Sequence, residues 1–208
     1  MRITRRPPSS YDGGMTWTHL RPVDGRRMPW KNGGGVTLEL AVDPPEATLE
    51  SGFRWRLSSA EVGVSGPFSR FQGLERWLLL LEGAGFDLDF GAHGRVRLQE
   101  PLVPVRFSGD WPASATLIDG PCTDFNLMVD PRICTARLEV LHLKALALLP
   151  PAAGTRLLFV ARGTLAVPEL GLDLGLRHTL RLDQAEGPLH LVPAGGGAAS
   201  IVIELAPV

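Results

Sequence analysis

Turn residues constrain this chain more than any other feature. Its 24 glycines and 18 prolines are spread along the whole length. They cut the apolar sequence into short runs such as VTLELAV, FRWRLSSAEV, RWLLLLEG, FDLDF, LVPVRFSG, DFNLMV, RLLFVARG, LHLVPA and SIVIELAPV. Runs of strand length, separated by turn residues at intervals of about ten, are the pattern of an all-β sandwich or barrel. Several runs alternate. In FDLDF, Phe86, Leu88 and Phe90 share one face while Asp87 and Asp89 share the other, the two-residue period of a strand. The segment from Arg132 to Leu149 is the one stretch that admits a helical reading, and its LEVLHLKALAL alternates better as a strand. The expectation is an all-β chain without a long amphipathic helix.

The second half echoes the first. RWLLLLEGAGFDLDF begins at Arg76 and reaches Gly83; RLLFVARGTLAVPEL begins at Arg156 and reaches Gly163. Each is an apolar strand, a charged residue, a glycine turn and a second strand. Each follows a glycine-bearing loop and precedes a proline-bearing strand, a glycine-rich stretch and a further apolar strand. Repetition of this kind predicts a duplicated β-barrel with its boundary near residues 130–137. The expected organisation is a tail at 1–14, disordered or an over-called start, a first barrel at 15–131 and a second at 132–208.

Composition narrows the function. Hydrophobic residues make up 44% of the 208, enough for a buried core, and the formal net charge is −1. That balance offers no electrostatic case for a nucleic-acid partner. No apolar run approaches the ~18 residues of a membrane span. The start, MRITRRPPSSYDGG, lacks the apolar segment of a secretory signal. Cys122 and Cys134 make no disulfide framework, so the chain reads as cytoplasmic with free thiols.

Most catalytic motifs are missing. A metal centre built on strands needs side chains that converge, such as two histidines one residue apart with a Glu and a third His on neighbouring strands. His19, His93, His142, His178 and His190 contain no such pair, so no metal and no cofactor is expected, although His178 and His190 have room to meet on adjacent strands. NGGGVT lacks both the dinucleotide and the P-loop spacing. No G-x-S-x-G occurs, and neither cysteine neighbours a histidine.

An anion site is the remaining reading. In FRWRLSSAEV, Phe53, Trp55 and Leu57 share one face and Arg54, Arg56, Ser58 and Ala60 the other. In TDFNLMVD, Asp124, Asn126 and Met128 oppose Phe125, Leu127 and Val129. A barrel strand has a lumen face and an outer face, and periodicity alone leaves open which is which. PWKNGGG, residues 29–35, contributes a flat Trp30, the charge of Lys31, the amide of Asn32 and glycines that permit φ > 0 and close backbone approach. Asn-Gly is equally a strong hairpin signal.

PWKNGGGVTLELAV, FRWRLSSAEVGVSGPFSRFQGLERWLLLLEG, PVRFSGD and DFNLMV, in that order, resemble the HutD/Ves family. The resemblance runs from about Trp17 to the C-terminus. It implies a bicupin, two small β-barrels in one chain. It also implies a link to histidine utilisation and binding of a small pathway carboxylate such as urocanate or formylglutamate; Ves is linked to cold or stress response. No firm catalytic activity travels with the family. Because WR.S and DFN.M carry the resemblance, it favours the polar faces as the lumen. The expected ligand-binding set is therefore Trp30, Lys31, Asn32, Gly33, Gly34, Arg56, Ser58, Asp124, Asn126 and Met128, all in the first barrel. Arg is suited to holding a carboxylate through paired hydrogen bonds, with Asp124 or Asn126 orienting Arg56. The expected partner is a small-molecule carboxylate, with no nucleic acid and no membrane, and a homodimer is compatible with the sequence. The alternatives are a metal-independent isomerase or lyase using Lys31 or Asp124 as acid/base, and an interaction module that binds a protein partner.

Overall fold

A computed structural model describes residues 9–10 and 16–208. The strands in chain order are β1 (Ser9–Ser10), β2 (Thr16–Leu20), β3 (Arg26–Pro29), β4 (Gly35–Asp43), β5 (Trp55–Val62), β6 (Gly66–Phe68) and β7 (Glu75–Glu82). Next come β8 (Phe86–Asp89), β9 (Arg95–Leu98), β10 (Val105–Ser108), β11 (Ala113–Leu117), β12 (Cys122–Val129) and β13 (Cys134–Leu143). The last are β14 (Ala147–Leu149), β15 (Ala152–Arg162), β16 (Leu165–Val167), β17 (Leu172–Leu174), β18 (Thr179–Ala185), β19 (Leu189–Pro193) and β20 (Ala198–Pro207). Among the described residues, three short 3-10 turns are the only helical pieces, and no helix is long and apolar enough to cross a membrane. The segment 132–149 is strand, in β13 and β14. The all-β expectation therefore holds.

The strands form two compact units. One spans Gly25–Cys134 together with Val208; the other takes the described residues up to Asp24 together with Thr135–Pro207. Each unit has a six-stranded and a four-stranded sheet, in the orders β10-β7-β12-β5-β4-β3 with β6-β11-β8-β9, and β1-β2-β18-β15-β20-β13 with β14-β19-β16-β17. The duplication is visible in these orders. β10-β7-β12-β5 matches β18-β15-β20-β13 strand for strand, and the four-stranded sheets match as well. The units differ in what extends the shared four strands: β4 and β3 add beside β5, whereas β2 and β1 add beside β18.

Two expectations change. The sheets are open: among the described residues no sheet order closes on itself, so each unit is a pair of facing sheets. The division at 15–131 also differs, because β2 belongs with the C-terminal unit. It pairs with β18, His19 opposite Leu180 and Trp17 opposite Leu182, and Trp17 packs on that unit's apolar core. With β2 and β1 added, the edge passes from the seven-residue β18 to the two-residue β1, and a very short edge strand is one way proteins limit unwanted pairing. Of the expected tail, Ser9–Ser10 pair with β2; the rest of 1–14 lies outside the described residues.

In the Gly25–Cys134 unit the core lies between the two sheets. Val62 of β5, Leu78 and Leu80 of β7, Phe86 and Leu88 of β8, Phe107 of β10 and Ala115 of β11 form one buried cluster. The opposite face of the six-stranded sheet is also buried, with Leu57, Leu79, Phe125 and Leu127 at 0% exposure. Burial on both faces is why the WLLLL run of β7 is continuous rather than alternating.

Candidate functional site

Toward one end of this unit the filling between the sheets changes from aliphatic to polar. A cavity of about 470 Å³ opens there, within the range of ~300–1,000 Å³ common for small-molecule sites. Its polar floor comes from three adjacent strands. Arg56 of β5 lies opposite Met128 of β12, which lies opposite Arg76 of β7. The next row is Ser58, Asn126 and Leu78, and the row beyond is Ala60, Asp124 and Leu80. Strand spacing of ~4.8 Å puts the two arginine backbones about 10 Å apart, with Met128 between them. Trp30, Phe68 and Phe71 supply apolar walls.

Of the residues expected from sequence, Trp30, Lys31, Asn32, Arg56, Ser58, Asp124, Asn126 and Met128 all line this one cavity. The lumen-facing orientation of the polar faces is therefore the one adopted. Gly33 and Gly34 do not line it. PWKNGGG is the turn of the β3–β4 hairpin, with Pro29 opposite Val36, and its amides are used within the turn. Gly33 N–H donates to the Trp30 carbonyl at 3.0 Å, and Gly34 N–H donates to Asn32 Oδ1 at 3.0 Å. Gly33 has φ +70°, and a Cβ on Gly35 would sit 2.5 Å from the Glu61 carbonyl and 3.1 Å from the Trp30 ring. The glycines thus serve turn geometry and the seating of Trp30. Trp30 itself is fixed by Nε1–H donating to Thr37 Oγ1 at 2.8 Å and by an edge contact with Phe68.

Arg56 is 3% exposed and its counter-charge is Glu39. Its Nε–H donates to Glu39 Oε2 at 2.7 Å, and Arg26 also contacts Glu39. This corrects the expectation that Asp124 or Asn126 orients Arg56. Glu39 reaches the site through a register shift between Glu39 and Ala41, which sets Glu39 opposite Ser58 and Val42 opposite Arg56. Without the shift, alternation could not put residues 39 and 42 on one face.

Arg76, which sequence reasoning missed, is 4% exposed. Its guanidinium lies over the rings of Phe71 and Phe107, at 5.1 and 4.9 Å from their centroids. One weak bond, Nη1–H to the Ser69 carbonyl at 3.4 Å, ties it to the chain. Burial lowers its pKa to about 10, against the attraction of Asp124. The available signal was parity: Arg76, Leu78 and Leu80 share the core-facing side of β7.

Asp124 is buried, and burial pushes its carboxyl up to about 7, against the pull of Arg76 and a backbone bond from Ala60 N–H to Oδ1 at 3.2 Å. Ser58 Oγ donates to the Asn126 carbonyl at 3.4 Å and Ser59 Oγ to the Asp124 carbonyl at 2.7 Å. Three buried polar atoms of residues that line the cavity have no hydrogen-bond partner among the described residues: Arg56 Nη2, Arg76 Nε and Asn126 Oδ1. Such atoms are rare in native proteins. Lys31 is exposed beside the site.

The duplicated unit builds its equivalent position differently. Arg156, the counterpart of Arg76, donates to Glu204 Oε1 at 2.6 Å and to the Pro150 carbonyl at 2.5 Å. Glu204 occupies the register position that Met128 has in the first unit. The next position inward is Val202, packed in an aliphatic cluster. His178 does not meet His190. His178 Nδ1 lies 2.9 Å from His19 Nε2, and His190 Nδ1 lies 2.5 Å from Glu169. No group of three or more His, Cys, Asp or Glu is arranged to hold a metal ion among the described residues. Cys122 and Cys134 are both buried.

Comparison with known proteins agrees with this architecture. Residues 23–200 match the HutD family. An uncharacterized 21.2 kDa protein from the hutC 3′ region of Pseudomonas putida is 39% identical over 182 residues, covering 85% of this chain and 92% of the relative. Protein Ves of Escherichia fergusonii is 34% identical over 178 residues, covering 80% and 89%. Among solved structures, HutD from Pseudomonas fluorescens SBW25 superposes with a TM-score of 0.79 at 38% identity, covering 92% of this chain and 99% of that one. A cupin 2 conserved barrel domain protein from Leptotrichia buccalis shares the fold alone, with a TM-score of 0.56 at 9% identity over 87% and 96% of the two chains. The chain belongs to the HutD family, in which the Ves proteins are its relatives.

Proposed function

We propose that the first unit binds a small carboxylate metabolite between its sheets. We further propose that the protein acts on a bicupin-type scaffold as a sensor or regulator of histidine utilisation, with urocanate and formylglutamate as the leading ligands. One observation carries the reading. Two buried arginines line the same cavity, each with a guanidinium N–H group that has no partner among the described residues, and of the two Arg56 alone has a carboxylate bonded to it there. A buried cation left without its counter-charge costs about 3–5 kcal/mol, so an anionic ligand is the natural complement. The P. putida relative, named for its place beside hutC, supports the pathway assignment.

Two charge-assisted hydrogen bonds at about 1.5–3 kcal/mol each, with apolar burial against Trp30 and Met128, give a dissociation constant of roughly 10⁻⁴ to 10⁻⁶ M. Calorimetric titration with urocanate and formylglutamate tests this. Arg56→Lys keeps the charge and loses the planar fork, so affinity should fall about tenfold or more. Binding that is equal in wild type and variant removes Arg56 from the site.

A second reading has its own observation. An acid poised near pH 7 is the tuning that proton transfer demands, and Asp124 has it. An isomerase or lyase would convert a bound carboxylate on incubation, whereas a sensor returns it unchanged in the mass spectrum.

A further inference from the structure

The unpartnered atoms at the cavity differ in kind. Arg56 Nη2 and Arg76 Nε are donors, while Asn126 Oδ1 is an acceptor. Asn126 is 8% exposed and sits one row beyond the arginines on the same face. Its register neighbours give its side-chain oxygen nothing. Leu78 has no donor, and the Ser58 hydroxyl donates to the Asn126 backbone carbonyl. The Ala60 N–H is taken by Asp124 Oδ1 and the Ser59 hydroxyl by the Asp124 carbonyl. Arg56 Nη2, one row away, is not bonded to it either, since both atoms remain unpartnered. Donors and acceptor are therefore held apart on one wall, the arrangement that a ligand with acceptors at one end and a donor next to them would complete.

Resting on the carboxylate reading above, we infer that the cavity selects carboxylates that also carry an N–H or O–H donor, which Asn126 Oδ1 receives. Asn126 is then a specificity-determining residue, distinct from the arginines that supply affinity for any carboxylate. A site built to hydrogen-bond a donor rejects the analogue lacking it more strongly than an apolar pocket rejects a change of shape, because the buried acceptor stays unpaired.

The test is calorimetric titration with two pairs matched in size that differ in the donor: 2-hydroxyglutarate against 2-oxoglutarate, and N-formylglutamate against its ester isostere 2-formyloxyglutarate. In the wild type the donor-bearing member should bind about tenfold to a hundredfold more tightly. In Asn126→Leu the preference should collapse, with tighter binding of the 2-oxo acid and the ester than in the wild type. A ligand-free readout stands beside it: Asn126→Leu removes an unpaired acceptor, so its thermal midpoint should rise. Equal binding within both pairs overturns the inference and leaves the carboxylate reading standing. Binding of none of the four acids overturns both. A discrimination that persists in Asn126→Leu, or a lowered midpoint in that variant, assigns the acceptor role elsewhere and overturns the role of Asn126.

Discussion

Replacing Asp124 by Asn should stabilise this protein by an amount that grows from about pH 4 and levels off above about pH 7. Burial raises the Asp124 carboxyl from its ordinary 3.8 to about 7. Below about pH 4 the group is protonated in both the folded and the unfolded chain and has no effect. Between these values the unfolded chain ionises while the folded chain holds its proton, so stability falls as pH rises. Above about 7 the loss is complete. At 1.36 kcal/mol per pKa unit the rise corresponds to about 4 kcal/mol. The attraction of Arg76 is already contained in that value, since it acts to lower the Asp124 pKa. Asn mimics the protonated acid, and its side-chain oxygen keeps the bond from Ala60 N–H. Asp124→Asn should therefore match wild type near pH 4 and exceed it by about 4 kcal/mol above pH 8, a gain of roughly 8–16 °C in thermal midpoint for a chain this size. Thermal melts followed by circular dichroism across pH 4–9 measure the difference. A variant less stable than wild type at pH 8.5, or a gap that does not change with pH, would refute the account of a buried, proton-holding carboxyl.

Other outcomes follow from single contacts. Gly33→Ala should cost about 1–2 kcal/mol through backbone strain at φ +70°, read as a lowered denaturant midpoint, because no atom lies within 4 Å of the added methyl. Cys122, whose thiol burial pushes up to about 12, should resist iodoacetamide at pH 8 in the native state and react on unfolding. Glu39→Gln should lower stability by roughly 3–5 kcal/mol in urea titrations, because it leaves the buried Arg56 without its counter-charge. Added carboxylate ligand should recover part of that loss.

The strands were legible because nearly every one is bounded by glycine or proline and either alternates or runs continuously apolar. The cavity was legible for a related reason. Arg56 with Ser58, and Asp124 with Asn126 and Met128, are polar residues at one parity within otherwise apolar strands. Arg76 was hidden at the head of WLLLL, where a charge reads as the strand boundary. Glu39 was hidden by a register shift that periodicity cannot reveal: in VTLELAV it falls between Leu38 and Leu40 and reads as a solvent-facing position. The glycines of PWKNGGG suggested backbone contacts to a ligand, yet the turn consumes the amides of Gly33 and Gly34. The place of β2 could not be read because its partner β18 lies some 160 residues away in the chain, and strand pairing at that separation leaves no local signal.

The most direct test of the central claim is a crystal structure of the protein with urocanate or formylglutamate at saturating concentration. A carboxylate oxygen should lie about 2.7–3.2 Å from Arg56 Nη2 and from Arg76 Nε, between β5 and β7 over Met128, with the equivalent region around Arg156 unoccupied. Ligand bound elsewhere, with Arg56 Nη2 and Arg76 Nε still unpartnered, would contradict the proposal that this cavity is a carboxylate site.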